Sequence, residues 1–216
     1  MSDSPAGVAD LLGVLAYAEL TAFLRLAEDA TRHAPSLTDR AALGDLAATE
    51  YAHFRLLHER LTSLGVDPEE AMAPFVGPLD DWHTQTTPGD WLEALVKAYV
   101  GTGIALDFYR EAAVQVDDAT RRLVEEVIED EGRSQFAVER VSAALKEDPS
   151  QSGRLALWAR RMVGEALSQG QHVAAARPEL AKLLVEAAGE DITRMFARLT
   201  EAHGKRMAAM GLTPGP

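Results

Sequence analysis

The chain has 216 residues, 47% of them hydrophobic and 25% charged, with a net charge of −13 and no cysteine. That length suits one substantial core, and the missing cysteines exclude disulfides, thiolate metal sites and cysteine nucleophiles. A surface this acidic argues against a general nucleic-acid binder, which needs a basic face for phosphates.

Apolar residues recur every three or four positions almost throughout, and alternating strand patterns are absent, so the chain reads as all-α. Met1 to Asp10 carries no positive charge ahead of an apolar run and lacks the form of a secretion signal. No apolar stretch approaches the roughly 18 residues of a membrane span, so a soluble, cytoplasmic protein is expected. The first helix is predicted from about Pro5 to Thr31, and Ser36-Leu-Thr-Asp39 opens a second that ends near Gly65. Val66 to Thr87 reads as a long crossover punctuated by Pro68, Pro74 and Pro78. Thr87 as N-cap and Pro88 at the first helical position start a third helix running to about Val116. Asp117 and Asp118 cap a fourth that reaches Lys146. A fifth runs from Ser152 to Pro178, and a sixth follows from Glu179 with a break near Gly189. Two antiparallel hairpins joined by one long crossover make a ferritin-like four-helix bundle over about 5–147, with two accessory helices over about 152–210, in a single domain of 1–216.

Each bundle helix interrupts its apolar stripe with an acid. Glu19 lies in line with Leu15 and Phe23, and Glu50 and His53 with Leu46 and Leu57. Asp107 is placed with Val100 and Ile104, and Asp130 with Val127 and Ala137. Glu19 and Glu50 are equidistant from the first turn, and Asp107 and Asp130 from the second, so four carboxylates are expected at one level of the bundle. Such a cluster is prohibitive without cations, and carboxylate with imidazole donors suits divalent iron or manganese. The Glu50-x-x-His53 spacing puts both side chains on one helical face.

At these residues the chain resembles the ferritin-like proteins classed with the tRNA hydroxylase that acts on methylthio-isopentenyl adenosine. The resemblance rests on Leu15-Ala-Tyr-Ala-Glu-Leu-Thr-Ala-Phe23, Thr49-Glu-Tyr-Ala-His-Phe54, Leu95 to Glu111 and Ala156 to Gln169. It implies a non-haem di-iron centre that activates dioxygen, with Glu19, Glu50, His53, Asp107 and Asp130 as ligands. The family pattern has a second histidine three residues after the acid of the fourth helix, where this chain has Arg133. A guanidinium has no lone pair for a metal, so one position loses its nitrogen donor. The load is then one or two iron ions, and an inward Arg133 would pair with Asp130 or Asp107.

Glu111 and Glu126 lie one turn from Asp107 and Asp130 and are replacement ligands, with surface salt bridges as the commoner role. Tyr17, Tyr51 and Tyr109 each lie within two residues of an expected ligand, where core packing is the commoner role and a place beside a bound oxidant, as for Tyr109, the functional one. Gly101 and Gly103 call for a close helix contact or a small pocket ahead of Asp107. His33, His58, His83, His172 and His203 read as surface or loop residues, and Arg154, Arg160, Arg161, Arg177 and Lys182 as a basic cluster. The leading function is an iron oxygenase or hydroxylase acting on a hydrophobic small molecule with dioxygen. Against it stand metal handling without turnover and a ferritin-like scaffold for protein association. The net charge argues against an intact tRNA as substrate, and a homo-oligomer is compatible with the pattern.

Overall fold

A computed structural model describes residues 5–113, 116–128, 135–187 and 192–212. Among them there are helices and no strands: α1 (Pro5–His33), α2 (Leu37–Ser63), α3 (Pro68–Met72), α4 (Val76–Gln85), α5 (Trp91–Ala112), α6 (Asp118–Ile128), α7 (Gln135–Glu147), α8 (Gln151–Ala176), α9 (Pro178–Ala187) and α10 (Ile192–Ala209). A short 3₁₀ turn, Ala73–Phe75, joins α3 to α4.

The local signals account for most boundaries. Ser36 Oγ accepts from the Asp39 backbone N–H at 3.0 Å and donates to the Asp39 carboxylate at 2.6 Å, which starts α2. Gly65, at φ 73°, ends it: Val66 N–H reaches Leu61 O and Gly65 N–H reaches Thr62 O, satisfying two terminal carbonyls. Asp117 caps α6 by accepting from Ala119 and Thr120 N–H. Two expectations need correction. The cap of α5 is Asp90, which accepts from Glu93 N–H at 2.9 Å, while the Thr87 hydroxyl donates back to carbonyls of α4. The crossover is also helical: Asp67 caps α3 with Pro68 at its first position, so that proline begins an element rather than breaking one.

The hairpin α1/α2 packs on α5 and α6, with α1 against α5 and α2 against α6, while α7 lies on α5 and its Arg140 pairs with Asp39 of α2. Leu12, Leu15, Leu57, Leu61, Leu106, Tyr109 and Val127 join in one core cluster; burial stabilises each such apolar side chain by about 1.5–3 kcal/mol. In the accessory layer α8 lies on α4 and α5, and the stretch read as a sixth helix with a break near Gly189 is described as α9, on α1, and α10, on α5. Arg177 at the end of α8 pairs with buried Asp10 of α1. The expectation that no apolar stretch reaches membrane-span length also fails, because Ala6–His33 qualifies by length and composition at a hydropathy of 1.5. The reason lies in the core position of α1, with 56% of that window buried inside the bundle.

Gly13 shows how tightly α3 approaches α1. A Cβ there would stand 2.7 Å from the backbone carbonyl carbon of Ala71, which cannot rotate away. Gly13→Ala is expected to destabilise the fold by about 1–3 kcal/mol in thermal or denaturant unfolding. Gly44→Ala, where nothing lies within 4 Å, is expected instead to stabilise by up to about 1 kcal/mol. Equal effects of the two would remove the close approach as the cause.

Candidate metal centre

Glu19 of α1 and Glu50 and His53 of α2 meet in the bundle interior, each offering a donor atom within 4.8 Å of the others. His53 Nδ1 is 3.5 Å from Glu19 Oε2 and 3.9 Å from Glu50 Oε2. From α5, the Thr102 hydroxyl donates to Glu50 Oε1 at 3.3 Å. Glu19, Glu50 and His53 are all buried. Burial pushes the Glu19 carboxyl up, against the opposing effect of the Glu50 and Tyr109 groups beside it. Burial, then the neighbouring Glu19 charge, drives Glu50 well above the usual carboxylate range. The Tyr109 hydroxyl is likewise raised well above its ordinary value, by burial first and then by the two glutamates. Glu19 Oε2 is buried without a hydrogen bond of good geometry. Two carboxylates and an imidazole in a dry core, with an unsatisfied carboxylate oxygen aimed among them, fit a divalent cation chemically.

Asp107, expected as the fourth donor, lies outside this group. Its Oδ2 accepts from Arg206 Nη2 of α10 and its Oδ1 from Arg110 Nη1 at 3.1 Å. The physical reason is rotation of α5. Leu106, Tyr109 and Ala112 of α5 join the core cluster of α1 and α2, whereas Val100 joins the cluster containing Met207 and Met210. Asp107 sits about 100° around the helix from Leu106, on the α10 side. Gly103 leaves room for the guanidinium to cross, since a Cβ there would fall 2.5 Å from Arg206 Nε. Gly101 similarly accommodates Trp82, whose ring would meet a Cβ at 3.1 Å.

Glu111 is held by Arg198 of α10, and Glu126 is exposed, so neither replaces a ligand among the described residues. Asp130 and Arg133 lie outside the described residues. The three tyrosines separate cleanly. Tyr109 is buried against Glu19, Tyr17 donates to Asp80 at 3.0 Å, and Tyr51 is exposed. The basic cluster is engaged in part within the chain: Arg154 pairs with Asp90 and Glu93, Arg177 with Asp10 and Lys182 with Glu186, while Arg160 and Arg161 are exposed.

The reading of His83 and His203 as surface residues is also corrected, because both are buried. No ligand partner in the sequence marked them. Burial depresses His83 to about 3 and His203 to about 4, from an ordinary 6.5. Both stay neutral in the folded chain while the unfolded chain takes up protons below about 6.5, so stability must fall as pH drops through that window. The expected loss approaches about 1.4 kcal/mol per pH unit for each histidine between pH 6.5 and about 4. Unfolding of His203→Leu followed against pH checks it: a slope as steep as the parent's would remove His203 as a cause.

A bundle of two helical hairpins with carboxylates and a histidine in its core defines a ferritin-like protein. The chain belongs to the family described as the ferritin-like domain of actinomycetes, whose model matches residues 3–187. Among solved structures, protein 19 with aldehyde deformylating oxidase activity from Synechococcus is similar at a TM-score of 0.76. The match covers 99% of this chain and 94% of that one at 19% identity, a level at which the likeness speaks for the fold. No curated protein matches in sequence.

Proposed function

We propose that this protein is a metal-dependent oxidoreductase that holds a divalent ion, iron first, on Glu19, Glu50 and His53. The observation that carries the reading is the convergence of those three donors within 4.8 Å in the buried core. Two carboxylates balance one divalent charge, and Asp107 is already neutralised by Arg206 and Arg110, so one ion per chain is the load the described donors support. Manganese satisfies the same donors.

Glu19, Glu50 and His53 would hold the iron, which when bound would supply dioxygen activation. The chain's own contribution is orientation and dryness. Thr102 donates to the Glu50 carboxylate from α5, and Leu15 and Leu57, one turn from Glu19 and His53 on the same helices, belong to the buried apolar cluster of the bundle. Tyr109 keeps its proton beside Glu19 and is placed to hydrogen-bond a ligand on that side. The hydroxylase-type resemblance and the oxidase-type neighbour both support redox chemistry on a hydrophobic small molecule, with an aliphatic aldehyde as one substrate class to test. The acidic surface and the paired basic residues favour such a molecule over tRNA.

Metal handling without turnover is the second reading, favoured by the capture of Asp107 by Arg206. Metal analysis after iron supplementation, followed by dioxygen uptake in the presence of a reductant and medium-chain aldehydes or alkanes, separates the two. About one iron per chain with substrate-dependent uptake supports the oxidoreductase. Iron without uptake favours handling, and iron-free protein that cannot be loaded defeats both.

A further inference from the structure

A second polar site lies away from these ligands, between the C-terminal part of α1, the end of α4 and α5. It is a cavity of about 120 Å³ lined in part by Arg25, Asp29, Arg32, His83 and Lys97. Lys97 and Asp29 are 6% and 8% exposed, an expensive placement for two ionisable groups. Direct pairing does not explain it, because no carboxylate comes within ion-pair distance of Lys97 among the described residues. The ammonium makes a single long hydrogen bond, to His83 O at 3.4 Å, and lies 5.2 Å from the centre of the Trp82 ring. An ammonium has three donors, so two are left for the cavity. His83 lines the same space, and its buried Nδ1 has no hydrogen-bond partner.

The charges select the ligand. Arg25 and Arg32 both close on Glu28, at 3.2 Å and 3.0 Å. Three cationic groups then face two acidic ones, Glu28 and Asp29, which leaves one positive charge in surplus. A cation is disfavoured there, and a small monoanion restores balance. A carboxylate fits best, since its two oxygens can accept from an ammonium on one side and a guanidinium on the other. We infer that this cavity is a binding site for a small carboxylate, with Lys97 as its principal anchor and Arg25 at its rim. The depressed Lys97, at about 8, is still mostly charged at neutral pH and loses its proton above that value. The site is independent of the metal centre.

Titration calorimetry with sodium acetate tests it, against sodium chloride at equal ionic strength, with tryptophan emission recorded in parallel because Lys97 stands over Trp82. Saturable one-to-one binding of acetate is expected, with a change in emission and no matching response to chloride. The Lys97→Met/Asp29→Asn variant removes both buried charges together and is expected to weaken binding by about tenfold or more. Arg25→Gln, at a side chain 42% exposed and so of little risk to folding, is expected to weaken it several-fold. Absence of saturable binding to the parent protein overturns the inference by itself. An equal response to chloride overturns it as well, as does acetate affinity unchanged in Arg25→Gln and in the folded double variant.

Discussion

Loading the metal-free protein with ferrous or manganous ion at 100 times its dissociation constant is expected to raise the melting temperature by about 5–11 °C. Binding to the folded state alone contributes about 2.7 kcal/mol at that excess, and a chain of this length gains roughly 2–4 °C per kcal/mol. The unloaded site carries the opposite strain, because Glu19 and Glu50 are buried side by side and each resists ionisation. Glu50→Gln should therefore behave in two ways at once. It removes the like-charge contact and leaves the metal-free fold as stable as the parent or more so, while most of the metal-induced shift disappears. A variant that melts lower without metal yet keeps the full shift would show that Glu50 is a structural carboxylate and that the ion binds elsewhere. His53→Leu should lose the shift without the compensating gain, since it relieves no repulsion.

The second large effect is expected at Arg206. Arg206 and Asp107 are both almost buried, with side-chain exposures of 13% and 9%. Removing one partner of such a pair leaves an uncompensated charge and typically costs about 3–5 kcal/mol. Arg206→Met is expected near the lower end, because Arg110 still holds the other Asp107 oxygen from a more exposed position. Near 3 kcal/mol the melting temperature drops by roughly 6–12 °C. Adding Asp107→Asn should recover much of the loss, and a double-mutant cycle gives the coupling directly. Arg206→Lys keeps the charge but loses the planar fork and should fall between the two. If Arg206→Met melts within a degree of the parent, the pair contributes nothing to the fold.

These two sites also show how far sequence reasoning reaches. Glu19, Glu50 and His53 were legible because a tight turn joins their helices, so equal distance from the turn translates into equal height, and helical spacing puts Glu50 and His53 on one face. Asp107 was not. Helix α5 is apolar on two sides, one facing the hairpin and one facing α10, and periodicity alone does not say which stripe meets which neighbour. Val100 and Ile104 pointed to a core-facing stripe, but the core they face is one shared with α7, α8 and α10 and not the one that holds Glu19 and Glu50. The nearly buried partner of Asp107, Arg206, lies 99 residues away, beyond the reach of any local pattern. Gly103 was the one hint, since an unexplained glycine announces that something crosses close by. The Lys97 cavity left no hint at all, because it draws its polar groups from three separated segments whose residues, taken singly, look like ordinary helix surface.

The long span between Asp107 and Arg206 has a consequence for synthesis. The chain is made from its N-terminus, and at about 5–20 residues per second the ribosome needs roughly 5–20 s to add the 99 residues between acid and arginine. Throughout that interval Asp107 has only Arg110, one turn along the same helix, as a partner. Asp10 waits longer still for Arg177, 167 residues downstream. Contacts of α10 on α5 therefore form only after those between α1, α2 and α5 have become possible, so the order of synthesis places the accessory layer after the hairpin core.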